Sequence, residues 1–456
     1  MALLYKFRKS IIVFLNVLTV ACQLSVFLSV WTDKYALASF QLKGNYVVIM
    51  LYGVMLLLFL SIFGGMKYGK ARLHDIVYST CLSLAISGFF TYFEFCLIAR
   101  EMLSPIAMIF MIIIQCAFAV VYCHCINMIY YAINKVKSVI SVTTGSIEAK
   151  KFILKMKRIA NRYNMDRAIS PDKGMDAIKE TVEDYDAVLV CDDFDKNLKE
   201  EIIKYCYGIG KKVYVQPSTT DIIMSDSYKL QISDAPMLIC KTRGLTKEQK
   251  VIKRLFDIII SSIGLIIASP IMAAVAIAIK INDGGPVFFK QNRVTENGRI
   301  FNVLKFRSMI VDADKDGAKK ATDADDRITA VGKIIRPTRL DELPQLLNIL
   351  FGSMSIVGPR PERTENVHEY TSKYPEFNLR HRVKGGLTGY AQIYGKYNTS
   401  PVDKLHLDLL YIENYSFLLD IKLIIMTFKI LFVKESTEGF DEEAANVNVR
   451  KHNEEK

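Results

Sequence analysis

Two adjacent carboxylates, Asp341 and Glu342, stand in a stretch of the chain that is rich in arginine. Arginine forks match the geometry of phosphate groups, and Mg²⁺ prefers carboxylate and phosphate oxygens as ligands. An aspartate can also act as a nucleophile toward an anionic substrate, provided that cations offset the negative charge. The pattern therefore indicates a metal and phosphate site. Four arginines, Arg307, Arg336, Arg339 and Arg360, can all lie near the acid pair, and Arg307, Arg336 and Arg360 are the candidate phosphate-binding residues.

The same two acids have a simpler explanation that their spacing leaves open. Negative side chains at the start of a helix are favoured by the helix dipole. Exposed acids at such a position need no chemical role, so the acid pair alone does not decide between catalysis and helix capping.

The composition indicates that these residues belong to a membrane protein with a large soluble part. Of 456 residues, 51% are hydrophobic and 23% are charged, and the formal net charge is +12. This hydrophobic content excludes a disordered chain and exceeds what an ordinary soluble enzyme can hide from water. The positive charge favours contact with membrane lipids and anionic substrates, and we expect no nucleic acid partner.

Four apolar stretches fill the first third of the chain, over residues 11–31, 46–65, 75–98 and 105–131. Each is long enough for a helix that crosses the bilayer, which needs about 20 residues. Basic residues precede the first stretch, lie between the second and third, and follow the fourth. The positive-inside rule therefore predicts that the N-terminus and everything after residue 135 are cytoplasmic.

Residues 141–245 predict a small α/β domain. An apolar run at 187–191 is typical of a strand, residues 195–208 have helical spacing, and residues 212–215 predict a second strand. Strand, helix and strand with short links indicate a parallel sheet. Because the glycine-rich dinucleotide fingerprint is absent after the first strand, we predict a degenerate Rossmann-like domain with a structural or regulatory role. Ligand binding is the alternative.

A fifth apolar run, residues 255–279, is interrupted by Ser269 and Pro270. Basic residues flank it on both sides, which favours a segment that enters and leaves the membrane at the same face. Pro270 deprives the carbonyl of Ile266 of its helical hydrogen bond, and the Ser269 hydroxyl can replace it. We predict a bent re-entrant helix, with a straight fifth span as the alternative.

Two segments near the C-terminus carry further predictions. The run Gly386-Leu387-Thr388-Gly389-Tyr390-Ala391-Gln392 predicts a glycine-rich turn. The apolar stretch 417–433 contains Asp420, Lys422 and Lys429, which is typical of an amphipathic helix that lies on the membrane surface.

These segments together predict a fold class of membrane α plus α/β. We expect a four-helix transmembrane bundle over residues 1–140 and a Rossmann-like cytoplasmic domain over 141–245. A re-entrant helix with a small α/β catalytic domain follows over 246–433, and a flexible polar tail over 434–456.

Residues 250–433 resemble the bacterial sugar transferase family, the monotopic polyprenyl-phosphate phosphoglycosyl transferases. Four spans and a Rossmann-like domain before this region are similar to the large members of that family. The matching motifs, in order, are Lys253-Arg254-x-x-Asp257, Ser269-Pro270, Gly285-Pro286-Val287-Phe288-Phe289, Gln291-x-Arg293, Lys305-Phe306-Arg307-Ser308-Met309, Leu340-Asp341-Glu342-Leu343-Pro344-Gln345, Val357-Gly358-Pro359-Arg360-Pro361 and Thr388-Gly389-x-Ala391-Gln392.

The resemblance implies specific roles for several of these residues. Asp341 is the implied nucleophile, which attacks the sugar-bearing phosphorus of a UDP-sugar and releases UMP, and Glu342 is the implied Mg²⁺ ligand. Arg336 and Arg360 are implied phosphate contacts, and Ser269-Pro270 is the implied kink of the re-entrant helix. The sugar phosphate then passes to undecaprenyl phosphate at the cytoplasmic face of the bacterial cell membrane. This is the first step of exopolysaccharide, capsule or O-antigen assembly.

The alternative function is a non-catalytic membrane scaffold or sensor whose Rossmann-like domain binds a ligand. Mg²⁺-dependent release of UMP from UDP-sugars distinguishes the two. A transporter is disfavoured because polar residues are sparse in the predicted spans. The sequence does not name the sugar. The resemblance to the large members of the family implies a hexose such as glucose or galactose, and a homodimer is one option for the oligomeric state.

Overall fold

The computed structural model of the chain contains two compact units, which meet in sequence between Pro217 and Ser218. The predicted polar tail, residues 434–456, lies outside the described residues. The structure describes residues 7–35, 44–69, 71–134, 136–157, 163–165, 167–232, 234–240, 244–311, 326–395 and 399–431.

The first unit begins with long apolar helices at the positions that the hydropathy pattern predicts. Each is long and apolar enough to cross a membrane. A short π-helical turn, Trp31–Tyr35, extends the first of them. The helices are α1 Arg8–Val30, α2 Gly44–Phe63, α3 Leu73–Ala99 and α4 Ile106–Ile133.

Buried polar side chains connect three of these helices. Gln23 of α1 and Gln115 of α4 each donate a side-chain N–H to the other's backbone carbonyl, at 3.3 and 3.0 Å. The Tyr52 hydroxyl of α2 donates to Gln115 Oε1 at 3.1 Å. Because an unpaired amide is costly in apolar surroundings, these pairings favour one arrangement of the helices over others.

A parallel sheet with helices follows, and it confirms the predicted strand, helix and strand. The strand order is β2-β1-β4-β5, β3 also pairs with β1, and every pair is parallel. All four residues of β4 are buried. The elements are β1 Lys137–Val142, α5 Ile147–Lys157, β2 Tyr163–Asn164, β3 Ala168–Ile169, α6 Gly174–Glu183, β4 Ala187–Val190, α7 Lys196–Gly208 and β5 Lys212–Val215.

The carboxyl edge of this sheet is where ligands of such folds bind, between the strands at which the chain order reverses. Here that place, between β1 and β4, holds Asp193. Its Oδ2 accepts hydrogen bonds from the hydroxyls of Thr143 and Thr144 at 2.6 and 2.8 Å. The backbone N–H groups of Thr144 and Ser146 also donate to it, at 3.2 and 3.3 Å. A carboxylate of the chain itself thus occupies this group of donors.

The second unit begins with a short helix and a hairpin whose residues are all exposed. The antiparallel register places Tyr228 opposite Ile239 and Leu230 opposite Met237, so one face of the hairpin is apolar. A two-stranded hairpin is only marginally stable by itself, and such an exposed apolar face is typical of a contact surface. The elements are α8 Thr219–Ser225, β6 Tyr228–Ile232 and β7 Ala235–Ile239.

A single helix, α9, then runs over Lys247–Asp283 with Pro270 inside it. At about 1.5 Å per residue it extends roughly 55 Å, and it is also long and apolar enough to cross a membrane. The Ser269 hydroxyl donates to the carbonyl of Ile266 at 2.8 Å, which confirms the predicted replacement of the hydrogen bond that proline removes. A re-entrant path for α9 stays a prediction.

Most of the remaining elements surround one hydrophobic core, and a smaller cluster packs α10 and the end of β9 against the C-terminal half of α9. Strands β8 and β9 form an antiparallel hairpin, and β10 and β11 form a parallel pair. The elements are β8 Phe288–Val294, β9 Ile300–Phe306, α10 Ala330–Ile335, α11 Gln345–Leu350, β10 Ser355–Val357, α12 Thr364–Lys373, β11 Gly386–Thr388, α13 Tyr390–Tyr394, α14 Pro401–Glu413 and α15 Phe417–Leu431.

The glycine-rich turn predicted at 386–392 is wrong, because residues 386–388 form strand β11 and residues 390–394 form helix α13. Gly386 is needed there for close packing rather than for turning. A Cβ at this position would collide with the backbone nitrogen of Gly358 beside it. The glycine therefore allows two backbone segments to approach, which is a second common use of this residue.

Candidate functional site

The acid pair lies on a tight 3₁₀ turn, Leu340–Glu342, between α10 and α11. Arg339 precedes it with φ 55°, a left-handed conformation that is uncommon for a residue with a side chain. Such a conformation costs on the order of 1 kcal/mol and persists only where the surrounding structure enforces it. The local backbone thus carries strain directly beside the candidate nucleophile.

Two cations hold the carboxylate of Glu342. Lys305 Nζ of β9 and Arg360 Nη2, from the segment after β10, both donate to Glu342 Oε1 at 2.9 Å. Burial opposes ionisation of Glu342, but the charges of Arg360 and Lys305 outweigh it and hold its pKa well below the ordinary range. Glu342 is therefore a fixed anion, and its contacts with the described residues leave Oε2 uncommitted.

Asp341 has a different environment from its neighbour. Burial raises its pKa to about 6, an effect that the charges of Lys305 and Arg336 oppose and the charge of Glu342 reinforces. Within the described chain, no side-chain donor hydrogen-bonds to this carboxylate. Its own backbone N–H is the donor that the described chain gives it, so Asp341 keeps further acceptor sites open while cations stand nearby, which is the condition for attack on an anionic phosphate.

Part of the Arg360 side chain is exposed and can bind a second anion. Its side chain contacts Glu342 yet remains 41% exposed, whereas the Glu342 side chain is 14% exposed. Arginine has five donors in a planar fork, so one contact leaves others for a phosphate group. The predicted phosphate role of Arg360 is compatible with this geometry.

Arg307 is not placed with the acid pair. It is buried and forms an ion pair with Asp283 at the end of α9. Its guanidinium packs over Gly285, where a Cβ would collide with it. Strand β9 ends at Phe306, so the alternation that would put Lys305 and Arg307 on one face does not reach Arg307.

The structure therefore brings together four of the predicted site residues, namely Asp341, Glu342, Arg336 and Arg360. Sequence reasoning missed Lys305, although its motif was noted. The available signal was a basic residue between apolar neighbours in an alternating strand. Ser269 and Pro270 lie within α9, and their predicted role concerns the path of that helix.

Side chains near the start of α9 form hydrogen bonds with α11 and β10, the two elements that follow the acid-pair turn in the sequence. Arg254 donates to the carbonyls of the last two residues of α11, at 2.6 Å each. Asp257 Oδ1 accepts from the Ser355 hydroxyl at 3.1 Å and from the Ile356 N–H at 2.9 Å, both in β10. The motif Lys253-Arg254-x-x-Asp257 thus has a structural explanation, because two of its charges fix neighbouring backbone.

The third charge of that motif reaches the last helix. Lys253 Nζ pairs with Asp420 Oδ2 of α15 at 2.5 Å, and both side chains are buried. The Tyr411 hydroxyl donates to the other oxygen of Asp420 at 2.8 Å. The stretch predicted as an amphipathic helix is helical, but Asp420 faces the interior rather than a polar outer surface.

The donors at the acid pair fit a hard cation. In the part of the chain that the structure describes, no group of three or more His, Cys, Asp or Glu side chains could hold a metal by itself. Mg²⁺ does not require such a group, since it is commonly held by one or two carboxylates together with substrate phosphates. The uncommitted Oε2 of Glu342 is a donor of that kind.

Comparison with known proteins identifies the second unit. The bacterial sugar transferase family matches residues 248–434. A UDP-glucose:undecaprenyl-phosphate glucose-1-phosphate transferase of Klebsiella pneumoniae is 43% identical over 211 residues, 45% of each chain. A UDP-N-acetylgalactosamine-undecaprenyl-phosphate N-acetylgalactosaminephosphotransferase of Aeromonas hydrophila is 42% identical over 181 residues, 39% of this chain and 43% of the relative.

The matched region thus spans less than half of those two relatives. A shorter relative is covered almost completely. The exopolysaccharide production protein PSS of Rhizobium leguminosarum bv. phaseoli is 40% identical over 200 residues, which are 41% of this chain and 97% of that protein. The family match over residues 248–434 includes the acid pair and the arginines around it, and the chain belongs to the bacterial sugar transferase family.

Proposed function

We propose that this protein transfers a sugar-1-phosphate from a UDP-sugar to undecaprenyl phosphate and releases UMP. The names of the Klebsiella and Aeromonas relatives describe transfers of this type. The contrast within the acid pair carries the proposal. One carboxylate is fixed by two cations, while its neighbour has a pKa of about 6 and open acceptor sites.

The proposed reaction has two displacements at the same phosphorus. First, an Asp341 oxygen forms a bond to the sugar-bearing phosphorus of the UDP-sugar. The bond from that phosphorus to the bridging oxygen breaks, and UMP leaves with the electron pair. Then a phosphate oxygen of undecaprenyl phosphate attacks the aspartyl phospho-sugar, the carboxylate of Asp341 leaves, and undecaprenyl diphospho-sugar forms.

The surrounding residues lower the electrostatic cost of these steps. Arg336 and Arg360 bind phosphate oxygens, and Lys305 with Arg360 keeps Glu342 ionised. Glu342 together with substrate oxygens would hold Mg²⁺, which would supply further charge neutralisation at the diphosphate. The basic neighbourhood thus allows one anion to approach another.

We propose that the second unit works at the cytoplasmic face of the bacterial cell membrane. The basic residues on both sides of the apolar run 255–279 within α9 support a re-entrant path, with the acid pair near the lipid headgroups. A homodimer is part of this proposal. The apolar face of the β6–β7 hairpin supports a contact between copies, and crosslinking in native membranes tests it.

The sugar is proposed to be a hexose or an N-acetylhexosamine, since relatives named for glucose and for N-acetylgalactosamine are similar to this chain to nearly the same degree. A panel of UDP-sugars with the purified full-length protein identifies it. The product begins a glycan on the lipid carrier, which supports a role in exopolysaccharide, capsule or O-antigen assembly.

The decisive experiment is Mg²⁺-dependent UMP release by the Asp341→Asn variant. We expect no release above background and no sugar phosphate retained on the acid-quenched protein. Asp326→Asn is the matched control, because Asp326 is exposed and has the same chemistry. In a parallel reaction, wild-type protein is incubated with a UDP-sugar labelled in its sugar phosphate and without undecaprenyl phosphate. Label that stays on the acid-quenched protein supports the covalent step.

Two outcomes would contradict the proposal in different ways. Full activity of Asp341→Asn would remove the nucleophile assignment. Failure of the wild-type protein to release UMP from any UDP-sugar would favour the alternative, a non-catalytic scaffold or sensor. The Asp193 carboxylate already fills the donors at the ligand edge of the middle sheet, which gives that alternative less support.

A further inference from the structure

A buried ion pair lies behind Arg360. Arg380 Nη2 and Asp408 Oδ2 are 2.7 Å apart, and each side chain is 1% exposed. Arg380 follows α12, and Asp408 lies in α14. A charge pair taken fully out of water is no strong source of stability, because desolvation offsets most of the attraction. Its placement therefore calls for another explanation.

The same Arg380 nitrogen reaches the site. Nη2 donates to the backbone carbonyl of Arg360 at 2.9 Å. A second arginine, Arg293 of β8, donates through Nη1 to the carbonyl of Pro361 at 2.9 Å. Two guanidinium groups thus hold consecutive carbonyls of the segment that carries Arg360.

Phe377 fixes the Arg380 side chain from the other side. The guanidinium carbon stands 4.8 Å from the centre of this buried ring. A guanidinium over an aromatic face is attracted by the ring and cannot swing away without losing that contact. Asp408, Phe377 and the Arg360 carbonyl therefore define one position for Arg380.

We propose that Arg380, oriented by Asp408, is a positioning residue that holds the backbone of Arg360 so that its guanidinium meets Glu342 and the substrate phosphate. The inference rests on the proposed transferase function and deepens it. Arg380 touches no substrate in this proposal. It acts through Arg360, and a misplacement of about 1 Å in such a group can cost roughly 10²-fold in rate.

The test compares Arg380→Gln with Arg382→Gln in the full-length purified protein. Arg382 is a matched control, since it pairs with Glu413 at 3.5 Å and so joins the same segment to the same helix. We expect Arg380→Gln to lower kcat about 10²-fold, and Arg382→Gln to stay within about twofold of the wild type. Arg380→Lys keeps the charge and one donor, so it should recover about tenfold of that loss.

A double-mutant cycle separates positioning from a general structural role. If Arg380 acts through Arg360, Arg380→Gln should have little further effect on kcat in an Arg360→Ala background, because interacting residues are not additive. Equal and independent effects in both backgrounds would overturn the proposal. So would equal losses in Arg380→Gln and Arg382→Gln.

A second variant guards against misfolding, because Arg380→Gln leaves Asp408 buried without its partner. The double variant Arg380→Gln with Asp408→Asn removes both charges. We expect it to restore the thermal unfolding temperature but not kcat, and restored kcat would overturn the proposal. Lack of UMP release by the wild type would instead refute the proposed function itself, so the two failures are distinguishable.

Discussion

Asp193 and Asp341 are both partly buried aspartates, but they lie in environments of opposite character. The Asp193 carboxylate accepts hydrogen bonds from two threonine hydroxyls and two backbone N–H groups. Burial opposes its ionisation, yet the hydrogen bonds from Thr143 and Thr144 outweigh burial and lower its pKa. Asp341 has cations nearby but no side-chain donor in the described chain on its oxygens, and its pKa is raised to about 6.

The comparison teaches how to separate a structural acid from a reactive one. The Oδ2 atom of Asp193 is held by four neutral donors, which keep this carboxylate in place within the loop, and its buried Oδ1 atom has no partner among the described residues. A buried carboxylate with few donors is destabilised in its ionised form. Favourable interactions elsewhere in the fold offset this cost in free energy. Perturbed ionisation of this second kind is concentrated at functional sites.

The largest expected difference between the two acids is in activity. Asp341→Asn should lower UMP release by at least about 10³-fold, because the amide is a poor nucleophile. Asp193→Asn should leave UMP release within about twofold of the wild type, since Asp193 makes its contacts inside the middle sheet. Assays of both variants at equal protein amounts check this. Comparable losses in the two would invalidate the division into reactive and structural acids.

The second largest effect on activity is expected from Lys305, the cation beside the acid pair. Lys305→Gln removes one of the two donors to Glu342 Oε1, and we expect kcat to fall about 10²-fold. Lys290→Gln on the paired strand β8 is the control, because Lys290 is exposed. A similar rate in both variants would show that Glu342 does not need Lys305.

The pH dependence should report the state of Asp341. The rate requires the carboxylate form, so it should fall about tenfold per pH unit below pH 6 and level off above it. Lys305 lowers the pKa of Asp341, so in Lys305→Gln the rate should begin to fall at a higher pH. Rates of UMP release from pH 4.5 to 8 measure both. A rate that falls only near pH 4, or a profile that is unchanged in Lys305→Gln, would contradict the assignment of this titration to Asp341.

The smallest effects should be on stability, with opposite signs for the two acids. The raised pKa of Asp341 means that folding loses free energy as pH rises from about 4 to 6, and the loss is complete above that range. Asp341→Asn should therefore stabilise the second unit at pH 7, by at most about 3 kcal/mol. Asp193 has a lowered pKa and stabilises the fold above pH 4, so Asp193→Asn should destabilise the middle sheet by about 1 kcal/mol.

Hydrogen exchange followed by mass spectrometry resolves these changes by region, which a single melting temperature of a two-unit protein does not. Exchange should slow around the 340–342 turn in Asp341→Asn. It should accelerate at the ends of β1 and β4 in Asp193→Asn. The same sign in both variants would remove the contrast on which the comparison is based.

Local patterns in the sequence were sufficient for several elements. Long apolar runs predicted α1 to α4, and short apolar runs around a helical spacing predicted β4, α7 and β5. The hydroxyl of Ser269 reaches the carbonyl freed by Pro270, as the chemistry of those two neighbours indicates. These predictions succeed because helix and strand periodicity, and contacts within one helical turn, depend on residues close in sequence.

Contacts between distant residues were not available from such patterns. Lys305 and Glu342 are 37 positions apart, and Lys253 and Asp420 are 167 positions apart. Arg307 was grouped with the acid pair because of its residue type, yet its partner is Asp283. Which cation meets which anion depends on how strands and helices pack, and residue type alone does not determine that.

The sequence by itself thus determined the membrane character, the strand, helix and strand of β4, α7 and β5, and the identity of the two acids, whereas β1 to β3 of the middle sheet were not predicted. Only the tertiary structure decided that Glu342 is neutralised by Lys305 and Arg360 while Asp341 stays open, and that Asp420 turns inward. The physical reason is the distance along the chain over which each effect acts. Hydrophobic periodicity acts along the chain, whereas the balance of burial and charge at a carboxylate depends on side chains that folding brings from β9, α10 and the segment after β10.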